Sequence, residues 1–210
     1  MLGQCLPNPH LLAPEDVEFC LSFPKYLSAL SAVAPGHPFG IAGLAWDGAV
    51  TNRPGARFGP RAIRQASHML CDGTHPHFDI DLNGELGDAG DLLLPNTSLT
   101  SMRAALAPQA AALVRQHHMA WPGGDHSVTL SLLRACRDWL GQRLAVIHFD
   151  AHCDTWPDHF GEQSGHGTRV YEAIAEGLVL PACFTQLGIR SSGVRAAREH
   201  VRDQGGQIFT

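Results

Sequence analysis

Asp150-Ala151-His152-Cys153-Asp154 is the densest run of chemically capable side chains in the sequence. Two carboxylates and an imidazole alternate along it, and in an extended segment this spacing puts Asp150, His152 and Asp154 on one face. Carboxylates with imidazole suit a borderline-hard divalent ion such as Mn²⁺ better than a thiolate site would. Cys153 lies between the ligand positions; alternation turns it away, so we assign it to packing. The second cluster is Gly123-Gly124-Asp125-His126-Ser127. Its glycines permit close backbone approach and unusual dihedrals, and Asp125 or Ser127 can cap the helix that follows. A single His at a helix start is ordinarily a cap or core residue. Paired with the DAHCD run, His126 becomes a fourth metal-ligand position.

The elements around these clusters follow from apolar patterning. FGIAGLA (39–45), HHMAWPG (117–123), RLAVIHF (143–149) and CFTQLGI (183–189) read as short buried strands, with a weaker strand within 84–94 and another opening at GQIFT (206–210). Helices are predicted over 60–67, over 98–116 from the spacing of Leu99, Met102, Leu106 and Leu113, and over 128–140. Further helices are predicted from about 170 to 178 and over 194–205. Strands alternating with amphipathic helices imply βαβ units and a parallel sheet covered on both faces. Ligands of such sheets bind beyond the carboxyl ends of the strands, and both polar clusters fall there. Residues 1–38 are Pro-rich and are expected to form an arm with a short helix over 15–22, so the α/β domain is expected over 39–210.

Composition narrows the function classes. The chain has 210 residues, 44% of them apolar and 17% charged, a globular rather than a disordered profile. A net charge of -5 lacks the basic face of a nucleic-acid binder. No apolar run approaches the ~18 residues of a membrane span. The N-terminal MLGQCLPNPHLL has no basic region leading into an apolar core, so a cytoplasmic protein is expected. The six cysteines form no C-x-x-C pair and read as reduced, buried thiols. Arg53, Arg57 and Arg61 resemble a phosphate-binding cluster, but without a P-loop pattern nearby we assign them to ion pairs or subunit contacts.

PGGDHSVTLSLLRA, AVIHFDAHCDTW, SGHGTRVYEAIAEGLV and TQLGIRS together resemble the agmatinase branch of the ureohydrolase (arginase/agmatinase) family, and TNRPGARFGPRAIR is similar to the same branch. The resemblance runs in order from about 39 to 191. It implies a three-layer α/β/α fold with a mainly parallel sheet and a binuclear Mn²⁺ centre. It also implies hydrolysis of a small cationic guanidino compound to an amine and urea by a metal-bridging hydroxide, in a homo-oligomer that is a trimer or hexamer. The positions matching the family's first metal ligands are His126, Asp150, His152 and Asp154. His166 matches the active-site histidine assigned to proton shuttling or substrate contact.

The sequence also departs from that pattern. The family completes its metal site with a later S-F-D-I-D-x-x-D-P type motif, which has no counterpart here. DIDL at 79–82 precedes the other ligands, lacks the final Asp-Pro and reads as a surface turn. The second metal site is therefore expected to be incomplete. Because the chain closes on an opening strand, a further C-terminal portion is expected. The stretch TWPDHFGEQSGHGT (155–168) does not reproduce the Asn-containing loop by which arginases read an amino-acid end. Agmatine is thereby favoured, with guanidinobutyrate or another small guanidine as the alternative substrate and a non-catalytic, shortened family member as the alternative of another class. Trp156 and Phe160 could line a pocket or simply pack.

Overall fold

The computed structural model describes residues 32–69, 74, 75, 77–82 and 84–210. The helix expected over 15–22 lies outside the described residues. The chain divides into two compact units, one running through Gly48 and taking in Arg53–Gly124, the other comprising Ala49–Asn52 and Asp125–Thr210.

In the first unit, β1 (Phe39–Gly43) lies between β2 (Leu86–Asp91) and β3 (His118–Ala120), all parallel, with Phe39 opposite both Leu86 and His118. Helix α1 (Gly59–Ser67) starts with Pro60 in its first turn, where the missing N–H costs no helical bond. Its Arg64 is buried and pairs with Asp88 at 2.7 Å and with Asp91, fixing the helix to β2. Helix α2 (Leu99–Val114) is capped by Ser98, which accepts from the Ser101 N–H at 3.0 Å. It buries Met102, Leu106, Ala110 and Val114, a stripe spaced by four residues. Gly123 closes this unit at φ +92, where a Cβ would lie 2.4 Å from the Pro60 ring. Only glycine fits that position. The DIDL stretch is exposed, with the Asp79 N–H returning to the His75 carbonyl at 2.9 Å, as a surface turn requires.

In the second unit, a 3₁₀ turn (His126–Val128) leads into α3 (Thr129–Leu140). Strand β4 (Leu144–Phe149), helix α4 (Arg169–Ala175) and strand β5 (Val179–Leu187) follow. Two short helices, α5 (Arg195–Arg198) and α6 (His200–Asp203), precede β6 (Gln207–Phe209). The single helix predicted over 194–205 is thus broken at Glu199. The sheet is parallel, in the order β4-β5-β6. His148, Gln186 and Ile208 form one cross-strand row; Phe149, Leu187 and Phe209 form the next, on the opposite face. Phe184 packs on Leu130, Val170, Ala173, Leu178 and Val201, so α3, α4 and α6 cover the His148 face. On the other face Ile147, Phe149 and Phe209 are 68%, 77% and 52% exposed.

The α/β architecture with parallel strands is the one expected, but the described strands are divided over two three-stranded sheets. β5 also begins at Val179, four residues before the strand predicted from apolar patterning. Its pairing shifts between Leu144–Val179 and Val146–Phe184, and Pro181 sits inside this bulge, where a missing N–H is tolerated. Among the described residues no helix is long and apolar enough to cross a membrane.

Candidate metal centre

β4 delivers Asp150 to the end of the sheet, where its N–H still bonds the Leu187 carbonyl at 3.1 Å. The chain then turns. The Ala151 carbonyl accepts from the N–H groups of Arg190 and Ser191, each at 3.0 Å. Asp154 adopts φ +51, a left-handed conformation that Asp tolerates better than most residues. The Asp154 carbonyl accepts from the Val170 N–H at 2.9 Å, tying the loop to the first turn of α4. His126 arrives from the 3₁₀ turn, whose start is capped by the buried Asp125 carboxylate at the Ser127 N–H, 2.9 Å away.

These supports gather four donor side chains, His126, His148, Asp150 and Asp154, whose ligand atoms all lie within 4.8 Å of one another. His126 Nδ1 is 3.1 Å from Oδ2 of both Asp150 and Asp154, and His148 Nε2 is 3.1 Å from Asp150 Oδ2. Burial alone would push the His126 imidazole down, but its bonds to the Asp150 and Asp154 carboxylates hold it above its usual value. Burial holds His148 below its usual value. Burial works against the charged form of Asp150, yet hydrogen bonds from His126, His148 and the His152 N–H hold it well below the carboxylate range. Asp154 is lowered too: burial is outweighed by His126 and by the Arg169 charge.

Arg169, the first residue of α4, reaches into the same group and is almost wholly buried. Its Nη2 lies 2.7 Å from both His126 Nδ1 and His148 Nε2, 3.0 Å from Asp154 Oδ2 and 3.6 Å from Asp150 Oδ2. An –NH₂ group has two hydrogens and cannot serve four neighbours. The cluster's mix of carboxylate oxygen and imidazole nitrogen fits a divalent cation.

Of the residues singled out in the sequence, the structure brings His126, Asp150 and Asp154 together. His152 stands outside the group: its side chain is 67% exposed, with Nδ1 3.2 Å from the other Asp150 oxygen, Oδ1. The one-face spacing expected for 150, 152 and 154 does not operate because the segment bends after Asp150 and passes through positive φ at Asp154. His166 is held by the Ala49 carbonyl at 2.7 Å and Thr51 Oγ1 at 3.0 Å, and meets the His159 ring edge to face. Cys153 packs with Ile189 and Ala197, as alternation suggested. Arg57 forms an ion pair with Asp47, the role preferred over phosphate binding. Phe160 is 84% exposed, with its ring edge to face on His159. His148, Arg169 and Gln186 were not singled out. The signal for His148 was available, since it lies two residues before Asp150 on the inward side of the same strand.

Parallel strands and a half-buried His/Asp group at the end of one of them define an α/β protein with a candidate metal centre. The chain belongs to the arginase family, whose sequence model matches residues 37–210. It is 38% identical over 154 residues to an agmatinase of Chromobacterium violaceum, a match covering 72% of this chain and 48% of that protein. It is 40% identical over 165 residues to a guanidinopropionase of Pseudomonas aeruginosa, covering 73% and 48%. The solved structure of proclavaminate amidino hydrolase from Streptomyces clavuligerus matches with a TM-score of 0.78 at 31% identity, over 90% of this chain and 64% of that one. The chain spans about half the length of the curated relatives it matches.

Proposed function

We propose Mn²⁺-dependent hydrolysis of a guanidino compound of the agmatine type. The overall reaction is R–NH–C(NH₂)₂⁺ + H₂O → R–NH₃⁺ + urea. The observation that carries this reading is the convergence of His126, Asp150 and Asp154 beyond β4 in a chain of the arginase family. The names of the relatives, agmatinase and guanidinopropionase, support the substrate class. Guanidinobutyrate and guanidinopropionate remain the alternatives within it.

A guanidinium carbon is a poor electrophile because its charge is spread over three nitrogens. Bound Mn²⁺ supplies what that carbon lacks, a strong nucleophile at neutral pH, by lowering the pKa of water. His126, Asp150 and Asp154 would hold the first ion. His152 would serve a second ion across Asp150, because Asp150 turns Oδ2 toward His126 and Oδ1 toward His152. The carboxylates also attract a cationic substrate. His166 would carry the proton to the leaving amine. Its Nδ1 faces the Ala49 carbonyl, which can only accept, so the basic nitrogen is Nε2, beside the Thr51 hydroxyl. We assign the reaction to the cytoplasm, where the free thiols of Cys136, Cys153 and Cys183 stay reduced. The proposed assembly is a homo-oligomer, trimer or hexamer, which light scattering tests.

One observation favours a second reading, a family member that binds a single ion without turnover. Among the described residues, the Oδ1 side of Asp150 has His152 as its one side-chain partner, too few donors for a tight second site. The test measures Mn²⁺ per chain together with urea release from agmatine, guanidinobutyrate and guanidinopropionate. Bound Mn²⁺ with urea from one of them supports the enzyme. Bound Mn²⁺ without urea supports the second reading, and no bound Mn²⁺ rules out both.

A further inference from the structure

We propose that His148 is a positioning residue rather than a ligand of the metal centre: held by Gln186, it donates through Nε2 to Asp150 and sets the direction of that carboxylate. The proposal rests on the metal reading above.

The argument starts from strand register. His148 on β4 and Gln186 on β5 are cross-strand partners on the helix-covered face, and Gln186 is fully buried. The Gln186 amide nitrogen lies 2.8 Å from the Cys153 carbonyl oxygen and 3.0 Å from His148 Nδ1. A carbonyl only accepts, so the amide cannot be turned over without setting two oxygens against each other at that distance. The amide nitrogen's second hydrogen then points at His148 Nδ1, which must accept. A neutral ring that accepts at Nδ1 carries its hydrogen on Nε2. His148 Nε2 lies 3.1 Å from Asp150 Oδ2 and has no lone pair left for a metal. Its 2.7 Å approach to Arg169 Nη2 is then a contact between two donors, and the nearest carboxylate acceptor for that guanidinium nitrogen is Asp154 Oδ2 at 3.0 Å.

The chain of bonds has a geometric consequence. Asp150 is steered at both oxygens, Oδ2 by His148 and Oδ1 by the His152 N–H at 2.9 Å. Because Gln186 also holds the Cys153 carbonyl, one amide ties the Asp150 carboxylate to the backbone just before Asp154. Groups that orient a metal-binding carboxylate in this way commonly change metal affinity by about 10–100-fold when removed.

The test compares Mn²⁺ affinity, by calorimetry on the 210-residue chain, in wild type, His148→Gln and His148→Leu. It adds long-range ¹H–¹⁵N correlation of the His148 ring in metal-free wild type. A Gln amide can replace the Nε2–H donor but is a poor substitute for an imidazole ligand. His148→Gln should therefore stay within about threefold of wild type, while His148→Leu should weaken binding about tenfold or more. The ring should carry its hydrogen on Nε2. His148→Gln as weak as His148→Leu would make His148 a ligand and overturn the proposal. Wild-type affinity in His148→Leu, or a hydrogen on Nδ1, would also overturn it. If His148→Leu does not fold, His148→Gln and the ring tautomer decide alone. If wild type takes up no Mn²⁺, the metal reading fails, and the tautomer, read without metal, still decides the hydrogen-bond chain.

Discussion

Arg169 Nη2 stands 3.0 Å from Asp154 Oδ2, with both side chains nearly sealed from water. In the metal-free protein this guanidinium offsets the charge of two converging carboxylates. Removing one partner of a buried pair leaves the other without compensation, which typically costs about 3–5 kcal/mol. Arg169→Met should therefore lower stability by about 3 kcal/mol in EDTA. Added Mn²⁺ should restore more stability to the variant than it adds to wild type, because the ion supplies the missing charge. Urea denaturation of both proteins, with EDTA and with Mn²⁺, measures the two differences. Equal Mn²⁺ effects would mean that Arg169 and the ion do not share a site.

His126 and His152 should separate two binding steps. His126 faces two carboxylate oxygens at 3.1 Å, whereas His152 faces only Asp150 Oδ1 at 3.2 Å. A stepwise Mn²⁺ titration should show one tight ion in wild type. His126→Ala should lose it, weakening binding at least tenfold, and His152→Ala should retain it. Loss of the tight ion in both variants to the same degree would show that the two imidazoles serve one site.

The sequence made β4 and three of the gathered donors legible, because a buried apolar strand that ends in carboxylates leaves little choice of geometry. The direction of His152 was hidden. It depends on the Ala151 carbonyl being claimed by Arg190 and Ser191, and on positive φ at Asp154, neither of which periodicity encodes. The Gln186–His148 partnership was hidden for a different reason. At the offset of the Leu144–Val179 pair, His148 would lie opposite Cys183; the bulge around Pro181 moves Gln186 into place. Pro181 is visible in the sequence, but the size of the shift it accompanies is a property of the paired strands.

Acid should weaken the first unit through Asp47. The Arg57 guanidinium donates to this buried carboxylate, as do the N–H groups of Gly55 at 2.6 Å and Arg57 at 3.3 Å. The Arg57 bond, opposed by burial and aided by the backbone donors, holds the carboxyl below its ordinary value of 3.8. A group with a depressed folded-state pKa contributes its stability above the unfolded value and loses it as pH falls through the folded one. Asp47→Asn should thus be less stable than wild type at neutral pH. The gap should close as pH falls below the ordinary value of 3.8 and through the lower folded-state one, where wild type also loses the carboxylate. Denaturation midpoints across that range provide the check, and a gap independent of pH would place the effect in packing rather than charge.

The uncovered face of the β4-β5-β6 sheet should govern self-association of the 210-residue chain. Ile147 and Phe209 sit on that face, 68% and 52% exposed, in cross-strand rows on either side of the His148–Gln186–Ile208 row. Apolar side chains grouped on an exposed sheet invite contact with other apolar surfaces, particularly where β4 and β6 also present unpaired edges among the described strands. Replacing both residues by threonine keeps a strand-favouring branched side chain and adds a hydroxyl that water can bond. Neither side chain points to the His148 face, so the donor group beyond β4 should be untouched. The double variant Ile147→Thr, Phe209→Thr should bind less of an apolar dye and show at least a twofold higher soluble fraction at equal concentration. Its Mn²⁺ affinity should match that of wild type. Unchanged dye binding and solubility would mean that this face is covered in solution, and a lost metal site would mean that the two faces of the sheet are not independent.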